Sequence, residues 1–210
     1  MISINLEKKL STYSGKSVLK VSLEMETGSV TKVSGPSGAG KTTFLKLIAG
    51  LNHPDQGKIL VDDAVWLDTS SKINLSPQKR KCGFVFQDYA LFPNMTVQQQ
   101  LEYATTDKNL IKELLDFGRL EPFAKHKPLQ LSGGQQQRVA ILRALAIKPK
   151  ILLMDEPFSA LDFKTKTTLI EELQFILDKS SMSTIIVSHN LHELESLPGQ
   201  EIFIGEEDND

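Results

Sequence analysis

Cysteine occurs once in the 210 residues, at Cys82, and tryptophan once, at Trp66. A lone cysteine excludes an internal disulfide framework and fits a reducing compartment. No apolar run approaches the ~20 residues that cross a bilayer as a helix. The N-terminal MISINLEKKL lacks the apolar centre of a signal peptide. Excess basic charge is missing as well: 24 Lys and Arg against 26 Asp and Glu leave a net −2. No global positive field therefore draws in nucleic acid. Internal repeats and low-complexity tracts are absent. What remains, 40% hydrophobic and 24% charged residues, is the composition of an ordinary globular protein. The length suits one large domain or a core with a small insert. Work at a membrane would need a partner to supply the spanning helices.

The apolar pattern divides the chain. Ile2, Ile4 and Leu6, then Val21, Leu23 and Met25, alternate with polar residues as half-buried strands do. Thr27-Gly28-Ser29 turns the chain into a short strand, Val30 to Val33, that ends at a glycine-rich loop. Phe44, Leu45, Ile48 and Leu51 then keep helical spacing, with Gly50 near the helix end. Ile59 to Val61 and Cys82 to Phe86 read as further strands. From Asp88 to Lys148 the pattern is helical. Leu110, Ile111, Leu114 and Leu115 form a stripe closed by Gly118, and Ser132 can cap a helix carrying Val139, Leu142 and Leu145. Strand chemistry returns at Ile151 to Met154, an unbroken apolar run suited to burial on both faces. A helix with Leu169, Leu173, Ile176 and Leu177 and a strand at Thr184 to Val187 follow. This order predicts a parallel α/β core interrupted by a mainly helical insert.

Two segments carry chemistry. Gly35, Pro36, Ser37, Gly38, Ala39, Gly40, Lys41 and Thr42 fill the pattern G-x-x-x-x-G-K-[ST], followed by Thr43, between a strand and a helix. Glycines let backbone N–H groups converge on phosphate, and the following helix adds the positive end of its dipole. Lys41 can reach the β and γ phosphates, and the Thr42 hydroxyl can ligate Mg²⁺. Asp155 and Glu156 end the buried strand, at the edge where open α/β sheets bind ligands. Asp155 is expected to hold Mg²⁺, and Glu156 to polarise an attacking water. Both acids also suit a plain strand end and helix cap. A guanine-reading N-K-x-D segment is not found.

Leu131-Ser132-Gly133-Gly134-Gln135 makes the chain specific, because it resembles the signature motif of the ABC ATPase family. Other family elements follow in order over roughly residues 2 to 204. Gln87 resembles the Q-loop glutamine, Asp155-Glu156-Pro157 the second acidic motif, Ser159 to Asp162 the D-loop, and His189 the switch histidine. The resemblance implies a P-loop NTPase core of α/β class, with a mainly parallel sheet, an N-terminal antiparallel β subdomain and an inserted α-helical subdomain. It implies one ABC ATPase domain, residues 1–87 and 149–210 forming the ATP-binding part and 88–148 the signature subdomain. ATP and Mg²⁺ are the implied cofactors, with Thr42, Gln87 and Asp155 at the metal and Lys41, Glu156 and His189 catalytic. Two copies are implied to pair head to tail, so that Ser132 to Gln135 close over the partner's γ-phosphate and Asp162 acts across the interface. Asp162 also reads as a simple helix N-cap, and Gln87 as a polar loop residue. Tyr13 is the candidate to stack on adenine, while Trp66 is expected to pack in the β region.

Coupling to transport also comes from the resemblance. Leu75 to Arg80 and Phe86 to Val97 look like importer ATPases, nearest to molybdate, sulfate and sugar uptake types. A permease partner and a place on the inner face of the membrane follow, with Tyr89, Leu91, Phe92 and Met95 as candidate groove residues. An exporter or lipoprotein-release subunit and a soluble non-transport ATPase are the alternatives. A C-terminal regulatory domain, usual in the molybdate and sugar types, is expected to be absent, since the chain stops after Glu206 to Asp210.

Overall fold

A computed structural model describes residues 1–12 and 15–205. The first strands, β1 (Ile2–Thr12) and β2 (Gly15–Met25), lead to β3 (Val30–Ser34) and helix α1 (Lys41–Ala49). Strands β4 (Gln56–Val61), β5 (Ala64–Asp68), β6 (Ile73–Asn74) and β7 (Cys82–Val85) come next. Helices α2 (Val97–Ala104), α3 (Lys108–Phe117) and α4 (Gly133–Ala146) form the insert. Strand β8 (Ile151–Asp155), helix α5 (Phe163–Asp178), β9 (Ser183–Val187) and β10 (Gln200–Phe203) complete the fold. Two sheets result: an antiparallel one in the order β2-β1-β4-β5-β6 and a parallel one in the order β10-β3-β9-β8-β7.

Period-2 patterning decides which side chains meet. Ile2, Ile4 and Leu6 of β1 and Leu19, Val21 and Leu23 of β2 share one cluster with Phe44, Leu45, Leu47 and Ile48 of α1. The same cluster takes Ile151 and Leu153 from β8 and Ile185 and Val187 from β9. Helix α1 is therefore sandwiched between the two sheets. Leu152, Met154 and Ile186 point the other way, into a second cluster with α2 to α5. The unbroken apolar run of β8 is thus what a strand covered on both faces requires. Side chains of the insert share this second cluster with Leu169 and Leu173 of α5, so its core is continuous with the strands beneath.

Several boundaries depart from the sequence pattern for physical reasons. Strands β5 and β6 carry little alternation and went unmarked, although Trp66 in β5 is buried in the β region as expected. Leu51 continues the helical spacing of α1 yet lies beyond its end, 47% exposed, because Gly50 turns left-handed at φ 77°. Gly118 does close α3, but with φ −75°, so conformational freedom does not select it. Space does: a Cβ there would come within 2.5 Å of the Leu142 side chain in α4. Tyr89, Leu91, Phe92 and Met95 are half-buried, Tyr89 and Leu91 against the second cluster. Arg143 of α4 crosses the Phe92 ring and donates to the Tyr89 and Ala90 carbonyls.

One buried cation ties α1 to the rest. Arg80 is 2% exposed and donates to the carbonyls of Leu47 and Ile48 at 2.8 and 2.7 Å, to Leu75 O at 3.0 Å and to Asn74 Oδ1 at 2.7 Å. Its charge sits at the negative end of α1, where the last carbonyls lack helical partners. Replacing it with methionine, Arg80→Met, keeps the bulk but removes these bonds, leaving Leu47 O with the Gly50 N–H at 3.2 Å. Urea unfolding followed by circular dichroism should show a loss of about 2–4 kcal/mol; an unchanged midpoint would remove this role.

Candidate functional site

The loop between β3 and α1 supplies the floor of the site. Gly35, Gly38 and Gly40 hold φ values of 146°, 83° and 97°, which side-chain-bearing residues rarely adopt. At Gly35 a Cβ would also fall 1.9 Å from the Ile204 carbonyl. Lys41, first residue of α1 and 6% exposed, folds back so that Nζ donates to Gly35 O at 2.7 Å and Pro36 O at 2.9 Å. Ala39 packs against the core, which anchors the loop from below.

The C-terminal ends of β8 and β9 build the wall. Thr42 Oγ1 donates to Asp155 Oδ1 at 3.1 Å. Asp155 is 3% exposed; burial holds its carboxyl above the ordinary range, against the pull of Thr42 and of Lys46, Lys41 and His189. Glu156 is also buried, and desolvation raises its pKa despite the His189 backbone N–H that donates to Oε2 at 3.2 Å. The His189 ring Nε2 lies 3.1 Å from the other oxygen, Oε1. Glu156 holds a left-handed φ of 47°, a conformation costing roughly 1–2 kcal/mol for a non-glycine residue. Its N–H bond to Val187 O at 3.0 Å helps hold that turn. Desolvation pulls the Lys41 pKa down, and the two carboxylates oppose that pull.

These groups line a cavity of about 340 Å³ together with Ser37, Gly38, Gly40, Thr43 and Gln87. Leu10 and Val187 also line it and were not anticipated. The register of β1 held the signal, since Leu10 continues the even-numbered face of Ile2, Ile4 and Leu6. A larger cavity, about 530 Å³, opens at the other end of the parallel strands between apolar groups such as Ile2, Leu145 and Met182. Its charged groups, Asp62, Lys148 and Lys150, lie at the N-terminal ends of the strands, with Lys150 paired to Asp62 at 2.8 Å, whereas the smaller cavity sits at the strand edge where α/β sheets bind ligands.

Not every predicted residue meets there. Ser132, Gly134 and Gln135 line a separate depression of about 250 Å³ with Thr165, and Gly133 is exposed at the start of α4. Ser132 and Gln135 form a reciprocal capping box: Gln135 N donates to Ser132 Oγ at 3.3 Å, and Ser132 N to Gln135 Oε1 at 2.8 Å. Asp162 caps α5 through Thr165 N at 3.1 Å, as its helix-cap reading required. Tyr13 lies outside the described residues.

A glycine loop at a helix N-terminus, a lysine folded over it and an acid pair at the adjoining strand end define a P-loop ATP-binding cassette. A profile of the ABC transporter family matches residues 18–159. The chain is 40% identical over 208 residues to a probable sulfate/thiosulfate import ATP-binding protein CysA of Chlorella vulgaris, covering 95% of this chain and 84% of that protein. It is 41% identical to the molybdenum import ATP-binding protein ModC of Vibrio parahaemolyticus, over 86% of this chain and 50% of the relative. The spermidine/putrescine import ATP-binding protein PotA of Thermotoga maritima is 42% identical, over 90% and 52%. The chain thus spans about half the length of the latter two. A solved dimeric cassette in a post-hydrolysis state with ADP and Pi matches with a TM-score of 0.78 and 32% identity, over 97% of this chain and 94% of that one. The chain belongs to the ABC transporter family.

Lys41→Ala removes the cation folded over the phosphate loop. Nucleotide affinity or turnover should fall about 100-fold or more, measured by ATP titration and phosphate release. Ordinary turnover by this variant would overturn the assignment of the loop.

Proposed function

We propose that this chain is the ATP-hydrolysing subunit of an ABC importer, working as a head-to-tail pair of copies docked on a transmembrane permease at the inner face of the membrane. The convergence of Lys41, Thr42, Asp155, Glu156 and His189 on one cavity carries this reading. The import names of the relatives support uptake over export. Dimeric solved cassettes support the pairing. No helix among the described residues is long and apolar enough to cross a membrane; in this reading the permease supplies the spanning part. The proposed cargo is an oxyanion such as sulfate or molybdate, in keeping with most of the relatives' names.

The division of labour follows from the chemistry of each group. Lys41 binds the β and γ phosphates in place of the Gly35 and Pro36 carbonyls it now contacts. The donors fit a magnesium ion: the Thr42 hydroxyl, the buried Asp155 carboxylate and the Gln87 amide are hard oxygen ligands on one cavity. When bound, the ion supplies charge neutralisation across the β and γ phosphates. Glu156, whose raised pKa makes it a better base, orients the attacking water and takes its proton. His189 holds that carboxylate through its backbone N–H and offers its ring to the γ-phosphate. Ser132 to Gln135 act on the partner's nucleotide, the anion that their exposed helix end suits. Gln87 links the site to the helical unit, residues 88–148, which the permease contacts.

Glu156→Gln should bind ATP as the parent does but hydrolyse it about 100-fold more slowly or worse, and should form a stable dimer in Mg-ATP by sedimentation. Its thermal stability without nucleotide should equal or exceed the parent's, because a costly buried charge is gone. A variant that stays monomeric at high concentration counts against the paired arrangement. His189→Ala should lower kcat more than affinity; an unchanged kcat would remove it from the site.

A further inference from the structure

The signature face has a chemical character that its glycines and serine do not explain. Two helix N-termini meet there: α5 packs on α4 so closely that a Cβ on Gly134 would lie 2.7 Å from Thr165 Cγ2. Neither helix has an acidic residue in its first turn. The Asp162 carboxylate caps α5, whereas the positive end of α4 carries no acidic group of the chain's own.

Two large apolar side chains flank this face. Leu129 is 92% exposed and Phe163 is 84% exposed, the highest values for large apolar residues among those described. Neither sits on a loose segment. Leu129 occupies a tight turn in which Gln130 Oε1 accepts from Lys127 N at 2.8 Å. That turn is bound to α4 by Gln136 Nε2, which donates to Pro128 O at 3.0 Å and Leu131 O at 3.2 Å. Phe163 follows the Asp162 cap as the first residue of α5, and its carbonyl accepts from Thr167 Oγ1 at 3.0 Å. The backbone holds both side chains out into solvent.

We propose that Leu129 and Phe163 are apolar anchors for a second copy of this chain, buried against it when the two cassettes close. The inference rests on the paired reading above. The face asks for an anion rimmed by apolar surface, and Ser132 does not line the chain's own nucleotide cavity. A second copy presents such an anion, its bound ATP, from the outside. The apolar rim then contributes dimer affinity that does not depend on the nucleotide's charge.

The test measures the dimer dissociation constant by sedimentation in Mg-ATP, in the full chain carrying Glu156→Gln to stop turnover. Adding Phe163→Ser or Leu129→Ser should each weaken the dimer about 10-fold or more. ATP affinity, measured at monomeric protein concentrations, should stay unchanged. Phe163→Leu should restore most of the dimer, which separates apolar contact from any effect on the start of α5. Tyr103→Ser, at an exposed aromatic in α2, should leave the dimer intact. Serine variants that pair as tightly as the parent overturn the anchors while leaving the paired reading standing, as does an equal loss from Tyr103→Ser. A Glu156→Gln parent that never dimerises overturns both.

Discussion

Helix α1 has to be buried on its sides and open at its N-terminus, and most of the structure answers to that requirement. The sides face an antiparallel sheet on one flank and a parallel sheet on the other, so Phe44, Leu45, Leu47 and Ile48 contact no water. A helix so enclosed cannot use solvent to satisfy its terminal backbone groups. At the C-terminus Arg80 takes two carbonyls. At the N-terminus the donors face a cavity whose natural occupant is a phosphate. The anion site is thus the outlet left by a packing solution.

The acidic wall of the site follows from the same geometry. Strand β8 is covered on both faces, so its C-terminal acids emerge into a space with little water, and burial raises both of their pKa values. A carboxylate in that state gains from a cation, and Lys41, Thr42 and the ring of His189 are the nearest partners the fold provides. The strained backbone at Glu156 turns its side chain toward His189 rather than along the strand. A site that arranges its own charges against desolvation is prepared for a multiply charged ligand.

Much of this was legible beforehand. The phosphate loop declares itself through Gly35, Gly40, Lys41 and Thr42 because few other folds need those residues at that spacing. Alternation in β1 and the unbroken apolar run of β8 foretold one and two covered faces. Less legible were elements whose residues answer to distant neighbours. Strand β6 has two residues, both exposed, and only its pairing with β5 makes it a strand. Gly118 looked like a left-handed cap and is a contact surface for Leu142. Arg80 stood in the sequence only as the end of the importer-like segment Leu75 to Arg80, and only the fold brings the end of α1 to it.

The sequence by itself determined the chemical vocabulary of the protein: the phosphate loop, the paired acids, the signature segment and the family to which they belong. These are local patterns, each selected by the backbone or charge requirements of a few adjacent residues. Tertiary structure alone decided that Leu10 reaches the phosphate-loop cavity and that His189 meets Glu156. It also decided that Ser132, Gly134 and Gln135 line a depression separate from that cavity. Those relations join residues far apart in the chain, and they depend on how the sheets pack around α1, which no local pattern encodes.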